Sequence, residues 1–226
     1  MALRVLIVTA TPEEADAFNR IVGLKYSPEG VTYRNCTIAL LVTGVGAAAT
    51  AWSLTKWFSV NEHPDVAINI GIAGSFRDDI CTGDVVMPVS DCFADAGIET
   101  SRGFLTLAES GLEALQGSLF AGGLITSENR FTDAGGRIVR KVNAITVNTV
   151  TGTADSIKRL TDKFNPDIET MEGATFFYIC SREEVPFISM RAVSNIIEPR
   201  KRDKWNISLA IGKLSEKLEE FLTTLE

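Results

Sequence analysis

Three side chains of this chain sit where chemistry could be done: Glu14, Glu172 and Asn195. Asn195 lies beyond Pro186-Phe-Ile-Ser-Met190, an apolar run bounded by a proline that predicts a buried strand. Strand ends at the carboxyl edge of an α/β sheet are where ligands bind. A carboxamide there can donate and accept at once, which suits a planar heterocycle with a carbonyl beside a ring nitrogen. It equally suits the plain start of a turn. Glu14 closes Thr11-Pro-Glu-Glu14. Thr11 is a good helix N-cap, Pro12 fits the first helical position, and a glutamate three residues after the cap completes a capping box. The same carboxylate would face the ligand side of the sheet, so two roles compete for it. Glu172 precedes an apolar helix, where an acid complements the helix dipole.

Other chemistries are excluded by what the chain lacks. There is one histidine, His63, followed by Pro64 in a polar turn. A Ser-His-Asp or Cys-His arrangement would have to use it, and multi-histidine metal sites are impossible. The four cysteines, Cys36, Cys81, Cys92 and Cys180, form no C-x-x-C pair and lie in or beside apolar segments. They predict a reduced, cytoplasmic protein without disulfides or zinc. Catalysis must therefore rest on carboxylates, amides, hydroxyls or backbone dipoles. The net charge of −7 argues against nucleic-acid binding, which needs a basic footprint. Hydrophobic residues at 45% and charged ones at 23% are those of a globular protein with a sizeable core. No apolar run reaches the roughly 20 residues of a membrane span, and no signal-peptide pattern opens the chain.

The elements that must position these groups alternate along the chain. Strands are expected at Leu3 to Val8, Val31 to Tyr33, Cys36 to Val42, Val66 to Ile70, Val85 to Val89, Gly122 to Thr126, Ala144 to Asn148 and Ile168 to Thr170. Helices are expected from Pro12 to about Val22, Ala47 to Phe58, Ala154 to Phe164, after Glu172, and from Trp205 to Leu225. Gly44-x-Gly46-x-x-Ala49 loosely matches a dinucleotide fingerprint, but no acid stands at the end of the following strand. These glycines are expected to make a tight turn with close backbone approach. Gly71-Ile-Ala-Gly-Ser75 reads as a turn that could admit a flat ligand. Residues 91–121 carry mixed periodicity and no clear element. The alternation predicts a layered α/β domain.

Four fragments then line up in order: Thr9-Ala-Thr-Pro-Glu-Glu14, Asn69-Ile-Gly-Ile-Ala-Gly-Ser75, Glu169-Thr-Met-Glu-Gly-Ala174 and Arg191-Ala-Val-Ser-Asn195. Together they resemble the nucleoside phosphorylase/nucleosidase superfamily over essentially the whole chain. Val147-Asn-Thr-Val-Thr-Gly152 and the segment from Ser194 to Trp205 are most similar to the branch that hydrolyses futalosine, a nucleoside of menaquinone biosynthesis. The methylthioadenosine/S-adenosylhomocysteine nucleosidases are close relatives. The resemblance implies a single nucleosidase domain, 1–226, of three α/β/α layers around a mixed, partly barrel-like sheet.

It also implies roles. Glu14 matches the glutamate that activates water, Glu172 the carboxylate that holds ribose hydroxyls, and Met171 a residue packed on the sugar. Ala73 and Gly74 match the loop near ribose and nucleophile. Thr149 and Val150 fall where adenine-cleaving relatives place an aromatic-aliphatic pair beside the base. Asn195 stands where those relatives carry an aspartate. An asparagine donates to N7 or O6 of a 6-oxopurine without the charge clash of a carboxylate, so hypoxanthine or guanine is expected in preference to adenine. Futalosine carries a benzoate, and Arg130, Arg200, Lys201 and Arg202 are candidates to meet it. No metal or organic cofactor is implied, and a homodimer or higher homo-oligomer is expected. The alternatives are an adenine nucleosidase, a purine nucleoside phosphorylase, and a nucleoside-binding sensor on the same fold. The loop around Glu14 offers no arginine for a phosphate, which favours hydrolysis.

Overall fold

The computed structural model describes residues 2–23, 30–101, 103–112, 119–199 and 205–225. In chain order the elements are β1 (Leu3–Thr9), α1 (Pro12–Val22), β2 (Val31–Tyr33), β3 (Cys36–Val42), α2 (Ala47–Val60), β4 (Val66–Ser75), β5 (Val85–Asp91), β6 (Gly97–Thr100), β7 (Gly103–Thr106) and β8 (Ile125–Thr126). There follow α3 (Arg130–Gly135), β9 (Arg140–Thr146), α4 (Ala154–Phe164), β10 (Ile168–Thr170), α5 (Gly173–Arg182), β11 (Phe187–Ile196) and α6 (Ile207–Leu222).

The main sheet is mixed and runs β10-β9-β5-β11-β4-β1-β3-β2. The long strand β4 makes it close on itself. Its first half lies parallel to β1, while its far end also pairs antiparallel with β10, at Ile168↔Ser75 and Glu169↔Gly74. Strands β4, β11, β5, β9 and β10 therefore form a closed five-strand barrel, with β1, β3 and β2 as an open wing. A cluster with members from all five barrel strands fills this ring: Ala73, Val86, Val142, Ala144, Ile168 and Val193, with Ile80 beside them.

Helices cover both faces, as expected for three layers. On one face Phe18 of α1 and Leu214, Leu218 and Phe221 of α6 pack over Val5, Ile7, Ile68 and Met190. On the other, Leu54 and Phe58 of α2 and Phe176, Phe177 and Cys180 of α5 pack over Leu6, Val8 and Ala67. Helix α4 adds Leu160 against Ile145 and Val147 outside the barrel. Among the described residues, no helix is long and apolar enough to cross a membrane.

Several expected elements shift, for identifiable reasons. Gly71-Ile-Ala-Gly-Ser75 is a continuation of β4 and not a turn, because β11 and β10 both bond to it. The strand expected at Gly122 to Thr126 shrinks to Ile125–Thr126, since Gly122 and Gly123 have φ of 63° and 87°, outside any strand. The strand expected at Ala144 to Asn148 runs Arg140–Thr146. Asn148 is drawn out of it by Asp95, whose carboxylate accepts from Asn148 N at 2.7 Å and Nδ2 at 3.0 Å. Helix α3 was not foreseen. Asn129 caps it, its Oδ1 accepting from the Phe131 and Thr132 amides. The region that resisted reading holds an exposed β6–β7 hairpin apart from the main sheet.

Glycine is required at position 71 inside β4. A Cβ there would run into the Arg191 guanidinium and the Glu14 carboxylate. Gly71→Ala is expected to destabilise by about 1–3 kcal/mol, the usual range for overpacking. A fall in the urea midpoint with an unchanged slope would report it.

Candidate active site

The carboxyl ends of β1, β4, β10 and β11 converge on a cleft of about 490 Å³. That volume suits a small organic ligand. Of the residues singled out from sequence, Glu14, Ala73, Gly74, Val150, Met171, Glu172 and Asn195 line it. Thr149 is exposed and is not among the lining residues.

Glu14 satisfies both of its competing roles at once. Its amide bonds to Thr11 Oγ1 at 3.2 Å and its Oε2 accepts from the Thr11 amide at 3.0 Å, completing the capping box. The same Oε2 accepts from Ala10 N at 3.0 Å, and Oε1 accepts from Ile72 N at 2.9 Å. A carboxylate has about four acceptor positions, so Oε1 keeps one for the cleft. The group thus ties the end of β1, the start of α1 and the middle of β4 to one point.

Glu172 stands at the N-cap of α5 but makes no side-chain cap bond there. Its Oε1 instead accepts from Gly46 N at 2.8 Å, at the N-terminus of α2. Gly46 has φ 90° and ψ 168°, a backbone essentially restricted to glycine. The loosely matched glycine fingerprint is therefore the tight turn that was expected. Its helix N-terminus, a natural anion site, is filled by the protein's own carboxylate. Burial pushes the Glu172 carboxyl above its ordinary range, and the nearby Glu14 charge adds to this. Arg191 and the Gly46 amide act in the opposite direction.

Arg191 is buried in β11 opposite Gly71. Its Nη2 donates to Asn69 Oδ1, its Nε to Ser189 Oγ at 3.3 Å, and Asn69 Nδ2 anchors to Val8 O at 3.0 Å. Its charge favours the ionised forms of both Glu172 and Asp91. Asp91 lies fully buried beside the first turn of α5, and burial pushes it up to about 7. Its Oδ1 accepts from Cys92 N and Thr146 Oγ1, while Oδ2 has no hydrogen-bond partner among the described residues.

The end of β11 is bulged. Val193 pairs with Ala73 and Asn195 with Gly74, so Ser194 is the extra residue. A bulge re-aims side chains, and here two consecutive residues, Ser194 and Asn195, both line the cleft. Ser194 Oγ donates to Asn195 Oδ1 at 2.8 Å. Asn195 Nδ2 donates to the Ile196 carbonyl at 3.3 Å. A carbonyl only accepts, so it fixes which end of the amide is nitrogen. The amide oxygen is held and one N–H remains over Gly74.

Reading the sequence missed Glu169, Ser194, Ile72, Thr170 and Trp205 in the lining, and Asn69 and Arg191 behind it. Polar residues inside two otherwise apolar strands were the available signal for Asn69 and Arg191. Arg130, a candidate for a substrate carboxylate, is far from the cleft. Its guanidinium stacks on Phe131 at 4.6 Å, and the Asn129 beside it bonds the Phe187 carbonyl, at the opposite end of β11 from Asn195. Arg200, Lys201 and Arg202 lie outside the described residues. His63 is half-exposed beside Glu183 and Phe58, away from the lining. Cys81 is exposed, unlike the other three cysteines, which are buried. Among the described residues no group of acids, cysteines or histidines is arranged to hold a metal.

A family model described as the phosphorylase superfamily matches residues 4–225. The chain belongs to that superfamily. It is 30% identical to the futalosine hydrolase of Streptomyces coelicolor, over 99% of this chain and 97% of that one. It is 31% identical to the futalosine hydrolase of Acidothermus cellulolyticus, over 95% and 88%. Among solved structures, the native futalosine hydrolase of Helicobacter pylori superposes with a TM-score of 0.79 at 14% identity, over 99% of each chain. A mutant Helicobacter pylori nucleosidase with 5'-methylthioadenosine in its active site gives 0.82 at 15%, over 99% and 100%.

The raised Asp91 carboxyl has a consequence for stability. Its contribution is full below the unfolded aspartate value of about 3.9 and is lost as pH rises through about 7. Chemical denaturation from pH 4 to 8 should show wild type losing stability across that window. Asp91→Asn should lose less, leaving the slope that the raised Glu169 and Glu172 carboxyls contribute.

Proposed function

We propose that this chain is a nucleosidase that hydrolyses the ribosyl N-glycosidic bond of futalosine and releases hypoxanthine. The observation that carries the reading is the Asn195 carboxamide, with its oxygen held by Ser194 and an N–H left over Gly74. A donor there meets O6 or N7 of a 6-oxopurine, whereas the amino group of adenine would oppose it. The full-length similarity to two futalosine hydrolases supports the same substrate.

Breaking the C1′–N bond develops positive charge on the sugar. Glu14 and Glu172 favour that charge more in the transition state than in the ground state. Glu14 orients and deprotonates the attacking water through its free Oε1 position. Glu172, with Met171 packed against the sugar, holds a ribose hydroxyl, and Ala73 and Gly74 form the floor. Val150 flanks the base, with Thr149 at the rim of the same loop. Asn195 stabilises the departing base by hydrogen bonding, and the base takes its proton from water. Hydrolysis is favoured over phosphorolysis because no lysine or arginine lines the cleft among the described residues. The helix N-terminus at Gly46 is already occupied by Glu172. We read residues 1–226 as one such domain, acting in the cytoplasm as a homodimer or higher homo-oligomer.

A base-release assay with futalosine, methylthioadenosine and inosine, with and without phosphate, tests this directly. Futalosine turnover is expected without phosphate, and Asn195→Asp should move the preference toward the adenine nucleoside. Faster adenine release by wild type, or a phosphate requirement, would refute the reading. Glu14→Gln should lower kcat by ~10²–10⁴-fold per folded molecule. It should also cost about 1–3 kcal/mol of stability through the orphaned backbone donors. Unchanged kcat with reduced stability would leave Glu14 a helix cap only.

A further inference from the structure

Glu169 is a buried carboxylate in the cleft wall that the mechanism above leaves unused. It lies on β10 directly across from Gly74, and Asn195 lies across from the same Gly74 on the other side, on β11. The two side chains therefore flank one glycine at a separation of two strand spacings, roughly 9–10 Å between backbones. Glu14, by contrast, bonds at Ile72, two residues back along β4. The sugar-facing acid and the Glu169–Asn195 pair are thus about 6–7 Å apart along the strand. That offset places Glu169 beside the base and away from the ribose.

From this placement we infer that Glu169 is a specificity residue that accepts the N1–H of a 6-oxopurine while Asn195 donates to its O6 or N7. The inference rests on the nucleosidase reading above and names how that site tells hypoxanthine from adenine. Each Glu169 oxygen takes one donor from Thr151: Oε1 from the amide at 2.9 Å, Oε2 from the hydroxyl. Each retains a second acceptor position. A 6-oxopurine carries a hydrogen on N1 next to O6, so it offers a donor to the carboxylate and an acceptor to the carboxamide. Adenine has a bare lone pair at N1, which would face the carboxylate unpaired and desolvated. Burial holds the Glu169 carboxyl above its usual range, aided by the Asp95 charge, and the two Thr151 bonds work in the ionised form's favour.

The competing role is that Glu169 merely anchors the loop carrying Thr151 and Val150. Selectivity separates the two. We would measure kcat/KM for futalosine and its 6-amino counterpart in wild type and Glu169→Gln, with melting curves to confirm folding. Glu169→Gln should reduce the 6-oxo to 6-amino ratio by ~10–100-fold, since the glutamine amide can donate to a bare N1. An equal loss on both substrates would show an anchoring role and overturn the inference while leaving the nucleosidase reading intact. Wild-type preference for the 6-amino substrate would overturn both. Should Glu169→Gln fail to fold, wild type with an N1-methylated 6-oxo substrate serves instead. A loss of at least ~10-fold is expected there, and unimpaired turnover would overturn the inference.

Discussion

A guanidinium inside the sheet is the constraint that organises this cleft. Arg191 is fully buried in the central strand β11, where an unpaired charge would cost several kcal/mol. Asn69 and Ser189 accept from its Nη2 and Nε, and its charge favours the ionised forms of Glu172 and Asp91 around it. Gly71 leaves room for both its guanidinium and the Glu14 carboxylate. The acids gathered at the mouth of the cleft are in turn tolerable because this cation lies behind them. Replacing it with an apolar residue would leave Glu172 facing the like charges of Glu14 and Asp91 in a water-poor site.

The groups proposed to do chemistry also hold the fold together. Glu14 ends β1, begins α1 and bonds the middle of β4. Glu172 joins the start of α5 to the start of α2. Both faces of the sheet are thus pinned to the cleft by carboxylates, so the geometry of the site is set by the packing of the layers and not by mobile loops. A site held by its own supporting elements meets the substrate already arranged, which lowers the reorganisation needed at the reaction step.

Much of this was legible in the residues. The capping box at Thr11 to Glu14, helix α4 and strand β10 have the expected limits, because caps and short apolar runs are local signals. The pocket acids Glu14 and Glu172 were legible for the same reason, each standing at a helix start. What stayed hidden depends on contacts distant in sequence. The extension of β4 through two glycines is decided by β10 and β11, almost a hundred residues or more away. Glu169 could not be assigned to the cleft before the barrel closed, because its facing depends on which strand β10 joins. Asn148 left its strand for Asp95, a partner 53 positions earlier that no periodicity announces.

The bulge at Ser194 separates two tasks that share one strand. Upstream of it, β11 keeps strict step with β4 from Phe187 to Val193, and that stretch contains Arg191 and its charge balance. Downstream, the phase is reset, and the side chains that line the cleft there, Ser194 and Asn195, are oriented independently of the guanidinium. On the proposed role of Asn195, a lineage could therefore exchange the residue at 195 and retune which nucleobase it releases without disturbing the electrostatic foundation four residues earlier. Removing the extra residue would forfeit that freedom, since both tasks would then be bound to one pleat.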